Sequence, residues 1–100
     1  MQHGKFSIQT TDSEGAINIV FPSTLGNPLR VSELWSKEFV QKNYLKYLNL
    51  KIKDRDELTI NKLNYIAEQI MDGKNVVLLQ STEDVHGEVL AKFIMDTINA

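Results

Sequence analysis

The chain opens with two short segments whose hydrophobic pattern is typical of β-strands. Residues 5–10 alternate apolar and polar side chains, which is the two-residue period of a half-buried strand. Residues 16–21 resume an apolar run, and the Asp-Ser-Glu-Gly sequence between the two segments is rich in turn-forming residues. This arrangement predicts a β-hairpin that ends at Pro22, because proline cannot donate a hydrogen bond to a sheet.

A first helix is predicted after an irregular loop over residues 22–31. Ser32 is a good N-cap for it, and the helix extends to about Leu48. Its apolar stripe consists of Leu34, Trp35, Phe39, Leu45 and Leu48. The polar residues 49–55 are expected to form a connection.

The second half of the chain carries the clearest periodicity. Asp56 is placed to cap a second helix whose apolar positions repeat at helical spacing from Ile60 to Ile70, and Gly73 supplies its stop signal. The continuous apolar run Val76–Leu79 is typical of a strand covered on both faces. A last helix carries apolar residues from 89 to 98.

The start of the last helix has two alternative caps. Ser81 and Asp84 have the spacing of a capping box, and Asp84 is also a good N-cap by itself. The complete element order is then β-β-α-α-β-α. We expect one α/β domain over residues 1–100, in which the helices pack on a three-stranded mixed sheet.

This order predicts a ligand-binding crevice at one edge of the sheet. If the third strand lies parallel to the second, the two helices between them form a right-handed crossover. The loops that follow both strands then meet at the carboxyl edge, where open α/β sheets usually bind ligands. The candidate ligand-binding residues, all on these loops or at the start of the last helix, are Gly26, Asn27, Arg30, Gln80, Ser81, His86 and Gly87.

The ligand chemistry is only partly determined by these residues. The N-terminus of the last helix and Arg30 favour an anion. The carboxylates of Glu83, Asp84 and Glu88 repel a bare phosphate and favour a ligand with hydroxyl groups, such as a ribose, or a cation.

Several of these residues also have a structural interpretation. His86 is either a candidate catalytic acid or base, or ligand contact, or a helix-start residue that bonds a nearby carboxylate or a backbone group. The Gly26-Asn27-Pro28 sequence forms either a binding loop or a plain turn.

The charge is unevenly distributed along the chain. The net charge is −2, yet residues 37–55 carry six basic and two acidic side chains, whereas residues 56–100 carry three basic and eight acidic ones. A basic and aromatic helix over residues 33–55 contacts a protein partner, grips nucleic acid, or presents a solvated face. The acidic overall balance makes nucleic acid the least favoured of these partners.

Composition excludes several kinds of chemistry. The chain has no cysteine, so disulfides, Cys-ligated zinc and thiol nucleophiles are excluded. Its two histidines lie far apart, and it lacks phosphate-loop, dinucleotide and nucleophile-elbow motifs, so we expect neither a metal nor a cofactor. These absences favour binding over catalysis.

The same sequence gives expectations about location and assembly. No apolar run approaches the roughly 20 residues of a membrane span, and the first residues do not have the pattern of a signal peptide. We therefore expect a cytoplasmic protein without membrane contact. The edges of a three-stranded sheet need cover, which makes a homodimer an expected assembly.

The loops at the crevice carry a resemblance to a family. Leu25-Gly26-Asn27-Pro28-Leu29, followed by two helices, the strand at 76–79 and the segment His86-Gly87-Glu88-Val89-Leu90, resembles domain of unknown function 4326, a small bacterial and phage family. The resemblance covers residues 18–98 and implies the same fold and site location. Family members carry cysteines where this chain has Leu78, Gln80 and Val85, and a proline at Thr82, so any thiol or metal chemistry of the family is excluded here.

Two functions follow as hypotheses. The leading one is a domain that binds a nucleotide-like or ribose-bearing molecule in the crevice, for sequestration or sensing in a phage or bacterium. Within it, binding alone and proton transfer by His86 stay open as alternatives. The other is a protein-protein interaction module, an inhibitor or accessory protein, that uses the basic helix 33–55.

Overall fold

The computed structural model describes residues 2–100 and contains three strands in one parallel sheet. The strands are β1 (Phe6–Gln9), β2 (Ile17–Asn18) and β3 (Val76–Leu79), and their order in the sheet is β1-β3-β2. The helices are α1 (Lys37–Lys53), α2 (Glu57–Met71) and α3 (Gly87–Ile98). The predicted α/β class and element order are therefore confirmed.

The predicted hairpin and the mixed sheet are wrong. β1 and β2 do not pair with each other, because both pair with β3 in parallel, so that Ile8 and Ile17 flank Leu78 on opposite sides. The strand predicted over residues 16–21 contains only two paired residues. The physical reason lies in β3, whose fully apolar sequence takes the central, most covered position and leaves the edges to the half-polar segments.

The first helix begins and ends later than its sequence pattern indicates. Ser36 is the N-cap, and its Oγ accepts a hydrogen bond from the Phe39 N–H at 3.2 Å. Ser32 instead closes a local turn, because its Oγ accepts from the Leu34 N–H at 3.2 Å. The helix continues to Lys53 through most of the predicted connection, where Lys51 and Lys53 complement the negative end of the helix dipole.

The later elements lie close to their predicted positions. Asp56 is the N-cap residue of α2, and Gly73 follows its end with a φ of 85°, a conformation that glycine adopts without strain. The proposed caps of the last helix are wrong, because α3 begins after His86, and Ser81 and Asp84 form a separate turn before it.

The core lies where the apolar faces of the three helices meet the sheet. Its fully buried members include Ile19, Leu25, Tyr44, Leu48, Ile66, Ile70, Leu78 and Leu90. Ile19 and Leu25 belong to the long loop between β2 and α1, so this loop is anchored in the core. None of the helices found in residues 2–100 is both long and apolar enough to cross a membrane.

Candidate functional site

The loops that follow β2 and β3 lie against each other at the carboxyl edge of the sheet. Three hydrogen bonds join the loop between β2 and α1 to the loop after β3 and to helix α1. His86 Nε2 donates to the Ile19 carbonyl at 2.7 Å, Arg30 Nε donates to Asp84 Oδ1 at 3.1 Å, and the Tyr44 hydroxyl donates to the Leu25 carbonyl at 2.6 Å. The parallel pairing of β2 and β3 brings these loops together, as the sequence predicted.

His86 is an anchor of this arrangement. Its side chain is buried, with the residue 1% exposed, and its ring packs edge-on against the Tyr44 ring with centroids 4.8 Å apart. Burial lowers the pKa of His86, although the Ile19 carbonyl and nearby Asp84 act in the opposite direction. The imidazole is therefore held neutral, with its Nε2 proton committed to a backbone carbonyl. A catalytic role for His86 stays a prediction.

Arg30 already faces carboxylates of its own chain. Its guanidinium contacts Asp84 at 3.1 Å and Glu83 at 3.4 Å, while its side chain is 40% exposed. Asp84 is the buried member of the group, and its Oδ2 also accepts from the Ser81 N–H at 2.9 Å. Arg30, which was predicted to bind an anion, therefore pairs with carboxylates of the loop after β3 and stabilises that loop.

Gln80 and Gly87 join the end of β3 to the start of α3. Gln80 Oε1 accepts from the Gly87 N–H at 2.9 Å, and its Nε2 donates to the Asp84 carbonyl at 3.1 Å. A Cβ atom on Gly87 would lie 2.6 Å from Gln80 Oε1, so a side chain at this position would displace the Gln80 amide from its bond to the Gly87 N–H. The Ser81 hydroxyl accepts from the Glu83 N–H at 3.3 Å. The Gly87 N–H, one of the N–H groups without an intrahelical partner at the start of α3, is therefore bonded to the Gln80 side chain.

Gly26 closes a turn that begins at Ser23, and Asn27 begins the next turn and carries one unsatisfied group. A Cβ atom on Gly26 would lie 2.5 Å from the Phe21 Cα, so this residue also permits a close backbone approach. Asn27 Oδ1 accepts from the Leu29 N–H at 3.1 Å. Within residues 2–100, the Asn27 Nδ2 donor is buried without a partner, as is the Ser23 hydroxyl. Buried polar groups are normally satisfied, so these two atoms mark a place for a water molecule or a ligand acceptor.

Several exposed apolar residues lie away from these loops, on and before α1. Leu34 is 83% exposed, and the Trp35 and Phe39 rings stack with centroids 4.7 Å apart. The predicted apolar stripe is therefore wrong for four of its five members, Leu34, Trp35, Phe39 and Leu45, which are exposed, whereas Leu48 is buried. The buried face of α1 is instead Val40, Tyr44 and Leu48, a spacing of four residues that was available in the sequence.

The solvent side of α1 also carries unpaired lysines. Lys42, Lys46 and Lys53 are exposed, share one side of the helix, and have no carboxylate within salt-bridge distance in the described part of the chain. Lys51 differs, because it contacts Asp56 at 3.8 Å and lies over the Tyr47 ring. We call the exposed residues Phe39, Lys42, Leu45, Lys46, Leu50 and Lys53 the outer face of α1.

Two concave regions border this outer face. A groove of about 590 Å³ runs between α1 and α3, and its lining includes Lys42, Leu45, Val89, Lys92 and Phe93. A second cavity, of about 570 Å³, lies at the C-terminal end of α1, and its lining residues are Tyr47, Leu50, Lys51, Asp54, Arg55, Asp56 and Glu57. Among residues 2–100, no three His, Asp or Glu side chains form a metal-ligating cluster.

Comparison with known proteins adds no evidence about this site. No family model, no curated protein and no solved structure matches the chain. The resemblance to domain of unknown function 4326 stays a prediction.

Proposed function

We propose that this protein is an interaction module that binds an acidic protein partner through the outer face of α1. The observation that supports the proposal most directly is the combination of unpaired lysines with exposed apolar residues on one helix. Phe39, Leu45 and Leu50 are apolar side chains of α1 in contact with solvent. They share this face with three lysines that have no carboxylate partner within residues 2–100. Aromatic anchors within a charged rim are typical of protein interfaces.

The partner's charge follows from that of the face. An acidic surface would pair with Lys42, Lys46 and Lys53 and would leave these lysines less exposed to solvent. Complementary charge raises the association rate and selects the partner, while burial of the apolar groups supplies much of the affinity. The face therefore fits a protein segment with both carboxylates and apolar side chains.

The experiment is a selection of displayed random peptides on the complete chain, with the double variant Lys42→Glu, Lys46→Glu as the counter-target. We expect peptides rich in acidic and apolar residues, with affinity at least about tenfold lower for the double variant. A double variant Lys62→Glu, Lys74→Glu is the matched control, since both lysines lie outside α1.

Two results would overturn the proposal. The first is a selection that yields no acidic peptides, or acidic peptides that bind the double variant equally well. The second is salt-sensitive binding of a labelled single-stranded oligonucleotide that the double variant loses, which would assign the lysines to nucleic acid.

A second candidate function is the binding of a nucleotide-like or ribose-bearing molecule between the two loops. The buried, unpartnered Asn27 Nδ2 supports it, because a ligand oxygen would satisfy this donor. A thermal-shift screen with nucleosides, nucleotides, ADP-ribose and cyclic dinucleotides tests this candidate. A ligand at about 100 times its dissociation constant adds roughly 2.7 kcal/mol of stability. An Arg30→Gln variant should reduce the shift, since Arg30 lies at the exposed rim.

A further inference from the structure

We infer that the partner's binding element is an acidic amphipathic helix that lies in the groove between α1 and α3. This inference rests on the proposed function and adds the place of binding and the form of the partner. Of the two concave regions beside the outer face of α1, the α1–α3 groove fits an acidic helix and the cavity at the C-terminal end of α1 does not.

The walls of the α1–α3 groove suit an apolar helix face. Leu45 lies on the α1 wall, and Val89 and Phe93 lie on the α3 wall. Leu45 is 40% exposed, while Val89 and Phe93 are partly buried beside the core. A helix that docks between two others packs its apolar residues against side chains of this kind. Because α3 has 12 residues, a partner helix of roughly 18 Å would match its length.

Charge distinguishes the groove from the cavity at the C-terminal end of α1. The groove is bordered by Lys42 and Lys92 with one carboxylate, Asp96, which bonds Lys92 at 2.8 Å. The three charged side chains sum to +1, and Lys42 is the one without a carboxylate partner within residues 2–100. An acidic helix gains attraction there, and its approach is helped by the exposed Lys46 beside Lys42.

The other cavity has the opposite balance. Lys51 and Arg55 line it together with three carboxylates, which belong to Asp54, Asp56 and Glu57. Lys51 is already engaged with Asp56. An acidic segment would meet repulsion at this end of the helix, although Leu50 offers an exposed apolar contact there.

The experiment compares residues on the two sides of α1 and on α3. A peptide from the selection on the complete chain is labelled, and its affinity for each variant is measured by fluorescence anisotropy. Leu45→Gln and Lys92→Glu change the groove, and Leu50→Gln changes the cavity at the C-terminal end of α1. Leu58→Gln and Lys74→Glu are the matched controls outside both regions. All five side chains lie outside the buried core, and equal thermal stability of the variants checks the fold.

We expect Leu45→Gln and Lys92→Glu each to weaken binding by about tenfold, and the controls to stay within about twofold of the wild type. Circular dichroism of the peptide should show a gain of helix on binding. If Leu50→Gln weakens binding and Leu45→Gln does not, the groove assignment is overturned while the proposed function stands. If binding is also insensitive to Lys42→Glu, Lys46→Glu, the proposed function fails with it.

Discussion

The Tyr44 hydroxyl provides a direct test of how the loop between β2 and α1 is held. Tyr44 is fully buried, and its hydroxyl donates to the carbonyl of Leu25, a residue that is only 1% exposed. Burial raises the pKa of the Tyr44 phenol above its ordinary range, so the group is a neutral donor at any working pH. Tyr44→Phe removes the donor, keeps the ring, and leaves a buried carbonyl unsatisfied.

Tyr44→Phe should lower the free energy of unfolding by about 1.5 kcal/mol, because the buried Leu25 carbonyl then has no partner and its desolvation penalty is not compensated. In a domain of this size that loss lowers the melting temperature by roughly 6–12 °C. Thermal and urea unfolding, followed by circular dichroism, measure both quantities. Tyr47→Phe is the matched control, since Tyr47 is only partly buried and its hydroxyl makes no side-chain hydrogen bond within residues 2–100. Equal effects of the two substitutions, or no effect at Tyr44, would refute the anchoring argument.

Three further predictions concern the loops and the sheet. The folded state lowers the pKa of His86 below its usual 6.5, so the contribution of His86 to stability should be constant above that pH and fall as the pH drops from 6.5 to the lower folded value. Urea unfolding at a series of pH values should show this contribution in the wild type and not in His86→Gln. Gly4→Ala should destabilise the protein by about 2–3 kcal/mol, because the new Cβ would lie 1.7 Å from the Lys74 carbonyl oxygen; an unchanged urea midpoint would contradict this close approach. Arg30→Gln should lower the free energy of unfolding, measured in urea, by about 1 kcal/mol, and by less at high salt, because buried Asp84 loses its charged partner. A loss of stability that does not depend on salt would indicate a packing effect instead.

The helices and the central strand were predictable because their signals are local. The helical repeat of apolar residues from Ile60 to Ile70 and the apolar run Val76–Leu79 each specify an element by themselves. The boundaries of α1 were less predictable, because Ser32 and Ser36 are both good N-caps by type. The turn from Ser32 to Trp35 decided between them, and a hydrogen bond from the Ser32 N–H to the Trp35 carbonyl closes it at 3.0 Å.

The candidate site was predictable in location more than in the use of its residues. Parallel pairing of β2 with β3 requires their following loops to share one edge, so the meeting of the two loops followed from topology. The ion pair of Arg30 with Asp84 was not predicted, because Arg30 was assigned to a ligand. That Gln80 caps α3 and that His86 bonds the Ile19 carbonyl depended on distances between residues far apart in the chain. A donor or acceptor in the sequence does not reveal whether its partner will be a ligand or the protein.

The sequence by itself determined the element order and the unequal distribution of charge, because helical periodicity and residue type need no tertiary contact. Only the tertiary structure decided that β1 and β2 both pair with β3, since strand pairing is selected by burial between segments some 60 residues or more apart. It also decided which side of α1 is buried. Val40, Tyr44 and Leu48 pack inward because the remaining elements offer contacts there, and this choice leaves Phe39, Leu45 and the lysines in solvent, where a partner can reach them.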